Sequence, residues 1–189
     1  MSDDQITTLA TCIIAAATVT GAVIATFGLK TWRKQLEGSA HFELARRLLL
    51  EVYRVRDSVQ AVRHPFMEPS EAAGGDPDVP WQITAYEKRW REVVEAEARL
   101  RVCTYEARIL WGEDITIVVR ELRGAVQSLY LILTEFADLK REHEAKQALS
   151  QEQRELLYSR GQDDPFSERM QSAVEQFEAY VRPHLPRPS

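Results

Sequence analysis

Residues 40–63 read AHFELARRLLLEVYRVRDSVQAVR, and the spacing of their apolar side chains indicates the fold class. Large aliphatic residues recur every three or four positions, at Leu44, Leu48, Val52, Val55, Val59 and Val62. This period places them on one face of an α-helix, whereas a half-buried strand would alternate with period two. The helix should end before Pro65, and its apolar face needs other helices to cover it.

A loop and a second long helix follow on the C-terminal side. Residues 64–80 hold four prolines and a Gly-Gly pair, which predicts a loop. From residue 83 to residue 111 the three-and-four spacing of a helix is unbroken. Glu97 and Thr104 are polar positions on this otherwise apolar stripe.

Capping residues indicate where the third helix begins. Gly112 is a typical helix stop, and Asp114 is a suitable N-cap for the helix that follows. The apolar stripe of this third helix reaches about Leu139, and we expect a solvated helical extension through Ala148.

The last helix has a clear start and end. Ser150-x-x-Gln153 resembles a capping box that opens a short helical turn. Asp164-Pro165 combines an N-cap with a proline at the first helical position, and the helix should run to about Val181. The sequence thus predicts an all-α fold in which residues 40–182 form an antiparallel bundle of about four helices, followed by a Pro-rich tail at 183–189.

A stretch without charges precedes the bundle. Residues 6–29 read ITTLATCIIAAATVTGAVIATFGL, and as a helix these 24 residues would extend over about 36 Å, enough to cross a hydrocarbon core of about 30 Å. A signal peptide would begin with basic residues and contain a shorter apolar run, but residues 1–5 read MSDDQ. A buried helix of a water-soluble protein rarely lacks charges over such a length. The stretch therefore predicts a single transmembrane helix.

Basic and aromatic residues follow this span directly and determine its expected orientation. The interface residues are Lys30, Trp32, Arg33 and Lys34. Positive charges favour the cytoplasmic side, and Trp favours the membrane interface. We expect residues 1–5 outside, a juxtamembrane segment at 30–39 with a joint at Gly38-Ser39, and a cytoplasmic bundle attached to the inner (plasma) membrane of a bacterium.

Small residues share one face of the predicted span. Ala17, Gly21 and Ala25 form a small-xxx-small-xxx-small series, which lets two helix backbones approach closely. The flanking hydroxyl residues are Thr7, Thr11 and Thr18. The series predicts a homo-oligomer within the lipid bilayer, and a Thr-lined pore that uses the same face is the alternative.

Composition and charge exclude several classes of protein. The 189 residues are 44% hydrophobic and 28% charged, which excludes collagen-like, low-complexity and mostly disordered chains. The net charge of −5 and the lack of aromatic-basic interleaving argue against nucleic-acid binding. The charge is uneven, because residues 30–63 hold eight basic and four acidic groups, whereas residues 64–189 hold 16 basic and 23 acidic groups.

Motifs of catalysis and ligation are missing from the sequence. There is no phosphate-binding glycine loop, no GxSxG elbow and no HExxH. The histidines are scattered, at His41, His64, His143 and His184, and the two cysteines, Cys12 and Cys103, lie in different segments. We therefore expect no catalytic residue, no cofactor and no metal site, and Cys103 should pack as a small hydrophobic residue.

Most carboxylates of the second helix have an arginine at helical spacing. Glu95 precedes Arg99 by four residues, and Glu97 precedes Arg101 by the same number. Because Glu97 lies on the apolar stripe, it needs a partner inside the bundle. Arg56, next to Val55 on the first helix, is the candidate, and such a pair would set helix register rather than catalyse a reaction.

Two segments carry a resemblance to known sequences. Residues 31–67, TWRKQLEGSAHFELARRLLLEVYRVRDSVQAVRHPFM, and residues 163–185, DDPFSERMQSAVEQFEAYVRPHL, resemble a group of small, uncharacterised bacterial single-pass membrane proteins. The resemblance implies an N-terminal anchor and a cytoplasmic helical domain. It implies no activity and no catalytic residues.

Three functions are compatible with these features. The leading hypothesis is a non-enzymatic, membrane-anchored scaffold whose bundle binds another, unknown cytoplasmic protein or further copies of itself. The alternative is an oligomeric effector of a bacterial defence or toxin system that permeabilises the membrane. The third is an enzyme with an unrecognised site, which the lack of motifs disfavours.

Overall fold

The computed structural model describes the backbone of residues 3–141, 150–158 and 164–185, and its description of side chains begins at Thr18. The helices, in chain order, are α1 (Asp3–Arg63), α2 (Trp81–Trp111), α3 (Ile115–Arg141), α4 (Gln151–Leu157) and α5 (Pro165–Val181). Two 3₁₀ turns lie at Pro69–Ala72 and Arg182–His184. No strand occurs in the described ranges, so the all-α prediction is confirmed.

The chain divides into two compact units, Met1–Phe42 and Glu43–Ser189, with the division inside α1. The first unit is helical from Asp3 onwards, and its described side chains include large exposed apolar ones, among them Ile24 (66% exposed) and Phe27 (67%). Within the described residues, no helix is both long enough and apolar enough to cross a membrane. The predicted transmembrane helix at residues 6–29 is therefore not supported by the structure.

Helix α1 contains no joint at Gly38-Ser39. Its backbone is helical through both residues, so the predicted joint is wrong. A glycine inside a helix costs only about 1 kcal/mol relative to alanine. Good helix formers on both sides, such as Leu36 and Ala40, offset this cost.

Side-chain contacts show that neighbouring helices of the second unit run antiparallel. Arg47, near the start of this unit, pairs with Glu106 near the end of α2, with Nη2 and Oε2 2.5 Å apart. Arg89, near the start of α2, donates from Nη1 to the carbonyl of Ala61 at 2.8 Å. The start of the bundle segment of α1 thus lies beside the end of α2, and the end of α1 lies beside the start of α2. The two helices are antiparallel, as an up-down arrangement requires.

The other helices continue this arrangement. Tyr86 of α2 packs edge-on against Phe136 of α3, with ring centroids 5.4 Å apart. Tyr53 of α1 donates its hydroxyl to Glu178 of α5 at 2.8 Å. Helix α3 packs against α2, α4 and α5. The second unit is therefore an antiparallel bundle of four long helical segments with the short α4 beside them, and this part of the prediction is confirmed.

The core consists of the periodic apolar residues. Those on α1 that are at most 1% exposed are Leu44, Ala45, Leu48, Val52, Val55, Val59 and Val62. Helix α5 contributes Phe166, Met170, Ala173, Val174, Phe177 and Val181. Since all of these join one cluster with residues of α2 and α3, the periodicity identified the core-facing surfaces.

Three of the predicted boundaries have the expected geometry. Gly112 ends α2 at φ 93° and ψ −174°, which suits a residue without a Cβ. Ser150 and Gln153 form a capping box at α4, each side chain bonded to the other's backbone N–H. Asp164 accepts a hydrogen bond from the Ser167 N–H at 2.9 Å and caps α5. The predicted extension of α3 to residue 148 lies outside the described residues.

A buried arginine closes one end of the bundle. Arg63, the last residue of α1, is 1% exposed and uses all five of its N–H donors. It binds both carboxylate oxygens of Asp164 (2.9 and 3.2 Å), the Ser167 hydroxyl, and the carbonyls of Leu156 and Glu155. These bonds join the ends of α1 and α4 to the start of α5.

A second arginine organises the loop between α1 and α2. Arg89 donates to both carboxylate oxygens of Glu71 at 2.7 Å and to the carbonyls of Ala61, His64 and Phe66. The hydrogen bonds from Arg89 hold the pKa of Glu71 below its usual value. Arg89 thus joins α2 to the end of α1 and to the loop, and Lys88 adds a hydrogen bond from its Nζ to the Glu71 carbonyl at 3.3 Å.

Candidate functional site

An open groove of about 1050 Å³ separates the outward faces of α2 and α3. The α2 wall consists of Trp90, Val94, Glu97, Arg101, Tyr105 and Arg108. The α3 wall consists of Thr116, Arg120, Arg123, Gln127 and Tyr130. Both sets recur every three or four residues, so each wall is one continuous stripe of its helix. Leu100, Thr104, Val119 and Val126 line the space between the walls.

The lining of the groove is basic, although residues 64–189, which include α2 and α3, carry more acidic than basic groups. Its charged lining residues are Arg101, Arg108, Arg120, Arg123 and Glu97. Arg108 pairs with Glu113, Nε to Oε1, at 2.6 Å. Among the described residues, the other three arginines form neither a hydrogen bond nor an ion pair within 4.0 Å. Their donors are therefore available to a negatively charged ligand.

Glu97 is the one acidic side chain in the lining. It is half-buried, and burial raises its pKa, although the nearby positive charges of Arg123 and Arg101 oppose the rise. The two arginines thus lie close enough to Glu97 to affect its ionisation. One glutamate does not neutralise them, and the lining keeps an excess of positive charge.

Aromatic and apolar side chains complete the lining. Trp90 and Tyr130 face each other across one end, with ring centroids 5.3 Å apart. Val94 (50% exposed), Tyr105 (55%) and Tyr130 (45%) expose large apolar surfaces. A mixture of exposed aromatic residues and unpaired arginines is the composition typical of protein-binding surfaces.

The predicted ion pair between Glu97 and Arg56 is wrong. Arg56 instead bonds to its neighbour Asp57, from Nη2 to Oδ1, at 2.8 Å. Glu97 lines the α2/α3 groove, where the positive charges nearest to it are those of Arg101 and Arg123. Among the described residues, the ion pair with both side chains buried is Arg63–Asp164, whose side chains are only 2% and 4% exposed. The pair of Glu95 with Arg99 is confirmed at 3.9 Å.

The predicted residues of the first unit all lie on α1. Gly21, Ala25 and the interface residues Lys30, Trp32, Arg33 and Lys34 are exposed. A Cβ added to Gly21 would meet no atom within 4 Å. Ala17 belongs to the helical backbone, but its side chain lies outside the described residues. Their roles in self-association and at a membrane surface stay predictions.

The groove shows no metal-ligating chemistry. In the described ranges no three His, Cys, Asp or Glu residues lie close enough together to hold a metal ion. Cys103 is buried, and burial raises the pKa of its thiol, so the reactive thiolate is disfavoured. The arrangement is suited to binding an extended anionic surface.

Two groove residues already stand out in the amino-acid sequence. Glu97 and Thr104 stood out as polar positions on the stripe of α2, and both line the groove. The matching signal on α3 is the three-or-four spacing of Arg120, Arg123 and Gln127. Two polar stripes on consecutive helices of a hairpin would have indicated a shared groove.

Comparisons with known proteins identify no relative. No protein-family model matches the chain, and neither a curated protein nor a solved structure shows significant similarity to it. The resemblance to small single-pass membrane proteins therefore stays a prediction.

Proposed function

We propose that this protein is a non-enzymatic scaffold in which the first unit attaches to the bacterial inner membrane and self-associates, while the bundle binds a cytoplasmic protein. The observation that carries the proposal is the uncharged stretch 6–29 followed at once by Lys30, Arg33 and Lys34. The exposure of Ile24 and Phe27 on the same helix also favours a lipid environment. In water the apolar side chains of both residues would stay exposed, whereas lipid tails would cover them.

More than half of the side chains of the uncharged stretch, those of residues 6–17, 19, 22 and 23, lie outside the ones that the structure describes. Twelve residues, 6–17, precede Thr18, where that description begins. The proposal therefore depends on the sequence of the whole stretch, in which no Asp, Glu, Lys or Arg interrupts 24 residues. A continuous helical backbone from Asp3 onwards is compatible with it.

Membrane fractionation tests the anchor directly. The full chain should sediment with membranes and resist extraction by salt and alkaline carbonate, whereas a chain lacking residues 1–29 should not sediment. A reporter fused after Ser189 should report the cytoplasm, because the positive charges follow the span. Release of the full chain by carbonate would overturn the anchor, and a periplasmic reporter signal would overturn the orientation.

Self-association through the small residues is tested by a substitution at the proposed closest approach. Gly21→Ile should separate two helices and weaken their association by about 1–2 kcal/mol, or about tenfold. The control is Val23→Phe on the opposite face, which lipid tails should accept. The measurement is crosslinking in membranes, and equal crosslinking of the wild type and both variants would remove Ala17, Gly21 and Ala25 as an interface.

Threonines beside the small residues favour a second candidate, the oligomeric membrane-permeabilising effector. Thr7, Thr11 and Thr18 could line a polar path on the same face. Overexpression of the full chain would then depolarise cells, and the chain lacking residues 1–29 would not. Cells that keep their membrane potential while crosslinked oligomers form would favour the scaffold.

A further inference from the structure

We propose that the α2/α3 groove binds one acidic, amphipathic helix of a different protein. The inference goes beyond the scaffold function by naming the binding surface and the chemistry of the partner. It rests on the geometry of the second unit and does not require the first unit to enter a membrane.

The dimensions of the groove match those of a helix. From Trp90 to Arg108 the α2 wall extends over about 27 Å, or five helical turns. The α3 wall, from Thr116 to Tyr130, runs beside it in the opposite direction. Two helices whose side chains recur every three or four residues leave a channel into which the ridge of a third helix packs.

The charges select an acidic occupant. Arg101 on one wall and Arg120 and Arg123 on the other lie in the middle of the groove, where a bound helix passes between them. Carboxylates spaced three or four residues apart on that helix would accept hydrogen bonds from both walls, and a guanidinium binds a carboxylate through two parallel bonds. The unpaired state of these arginines means that no intramolecular ion pair has to break first.

The apolar residues select an amphipathic occupant. Val94, Tyr105 and Tyr130 are about half exposed, and Trp90 supports Tyr130 at one end. Leucine or phenylalanine on the same helix would cover these surfaces while its carboxylates meet the arginines. Because aromatic residues and arginine contribute most of the affinity at protein interfaces, this end and the central arginines should dominate binding.

A second copy of the chain docked groove to groove is disfavoured. In such a symmetric contact the same patch meets itself, so the arginines of one copy would approach those of the other. Like charges brought together at an interface are repulsive and cost affinity. The occupant must therefore present a surface of opposite charge.

The test measures the binding of two matched helical peptides to the full chain in detergent micelles. Both fluorescent peptides have 19 residues, the number of residues from Trp90 to Arg108, with leucine every three or four positions. One carries glutamate on the flanks of the leucine stripe, and the other carries lysine at the same positions. We expect the glutamate peptide to bind at least about tenfold more tightly, and added salt to reduce the difference.

Charge reversal locates the site. Arg120→Glu combined with Arg123→Glu should lower the affinity for the glutamate peptide about tenfold or more. The lysine peptide should then bind more tightly than the glutamate peptide. The control is Arg46→Glu combined with Arg182→Glu, two exposed arginines outside the groove that undergo the same change of charge. Helical content by circular dichroism reports whether each variant folds, and Arg101→Glu on the other wall replaces the double variant if that one does not.

Four outcomes would overturn the proposal, and the first three concern a missing or unselective effect. These are failure of the glutamate peptide to bind, equal affinity for both peptides, and equal loss of binding in the groove and control variants. A preference for the lysine peptide by the wild type would also overturn it. None of these results depends on membrane fractionation, so the anchor and the groove can fail separately.

Discussion

At the scale of single residues, Arg63 and Arg89 show how a charged side chain can be accommodated in two different ways. Each uses five N–H donors, but Arg63 is enclosed in the core and Arg89 lies against a surface loop. Removing a charge from water is costly, so a buried pair such as Arg63–Asp164 contributes to a defined geometry more than to net stability. Loss of either partner leaves the other buried without compensation.

Asp164→Asn should lower the free energy of unfolding by about 3 kcal/mol at pH 7, because Arg63 would lose its buried counter-ion. Burial alone would raise the pKa of Asp164, but hydrogen bonds from Arg63 and Ser167 lower it overall. A carboxyl with a lowered folded-state pKa stabilises above its unfolded pKa, about 3.9, and this contribution is lost as the pH falls through the folded value.

Urea unfolding of the wild type and Asp164→Asn at pH 7 and pH 3 measures this effect. The difference between the two proteins should be smaller at pH 3. Asp57→Asn, which changes an exposed partner of Arg56, serves as the control and should change the free energy by less than about 1 kcal/mol. A difference that is the same at both pH values would contradict the assignment.

Glu97→Gln should raise the free energy of unfolding at pH 7, by less than about 1 kcal/mol. Burial raises the folded-state pKa of Glu97, so its ionised form is less favourable in the folded protein than in the unfolded chain. The wild type therefore loses stability as the pH rises from the unfolded pKa, about 4.3, through the folded value, and the gain from Gln disappears below that range. The control is Glu95→Gln, an exposed carboxylate on the same helix, and a gain in both variants would remove burial as the cause.

At the scale of elements, the helix ends were predicted well because their signals are local. A capping box or an N-cap followed by proline involves residues at most three positions apart, as at Ser150–Gln153 and Asp164–Ser167. Gly38 shows the limit of the same approach, because a glycine inside a helix lowers local stability without ending the helix. At Gly38 the helical hydrogen bonds of the turns on both sides keep α1 continuous.

Gly112→Ala should destabilise the bundle by about 1–3 kcal/mol. Its φ of 93° with ψ of −174° is a conformation that essentially only glycine adopts. No atom lies within 4 Å of the added Cβ, so the cost is backbone strain and not a clash. Thermal unfolding checks this, with Gly38→Ala as the control, since that change is in a helical backbone with open space and should be neutral or slightly stabilising. Equal melting temperatures for the wild type and Gly112→Ala would contradict the strain.

At the scale of the whole molecule, the chain consists of two units that share α1. The second unit, Glu43–Ser189, contains the apolar core, the hydrogen-bonded arginines Arg63 and Arg89, and the α2/α3 groove. The first, Met1–Phe42, contains the uncharged stretch and the interface residues. This division agrees with separate roles for the two units in the proposed function.

A fragment comprising residues 38–189 should fold by itself, because the apolar faces of its helices cover one another. We expect strong helical circular dichroism and a single cooperative thermal transition, with the same midpoint by circular dichroism and by tryptophan fluorescence. A broad transition together with binding of a hydrophobic dye would show that the bundle needs the first unit or a partner to complete its core.

Local patterns of residues are sufficient to predict most of the helices of the bundle, their ends and their core-facing sides. Periodicity and capping depend on interactions within a few residues along the chain, so Leu44 to Val62 and Phe166 to Val181 were recognisable as buried stripes. The amino-acid sequence also contains the uncharged stretch on which the membrane proposal depends.

Only the tertiary structure decided which polar residues meet. Arg63 and Asp164 are separated by 101 positions, and no periodic pattern relates two residues so far apart. The partner assigned to Glu97 was wrong for the same reason: whether a polar residue on an apolar stripe faces the core or a groove depends on how neighbouring helices rotate and pack. The basic groove exists because α2 and α3 bring together two arginine-bearing stripes, a consequence of packing that neither helix carries alone.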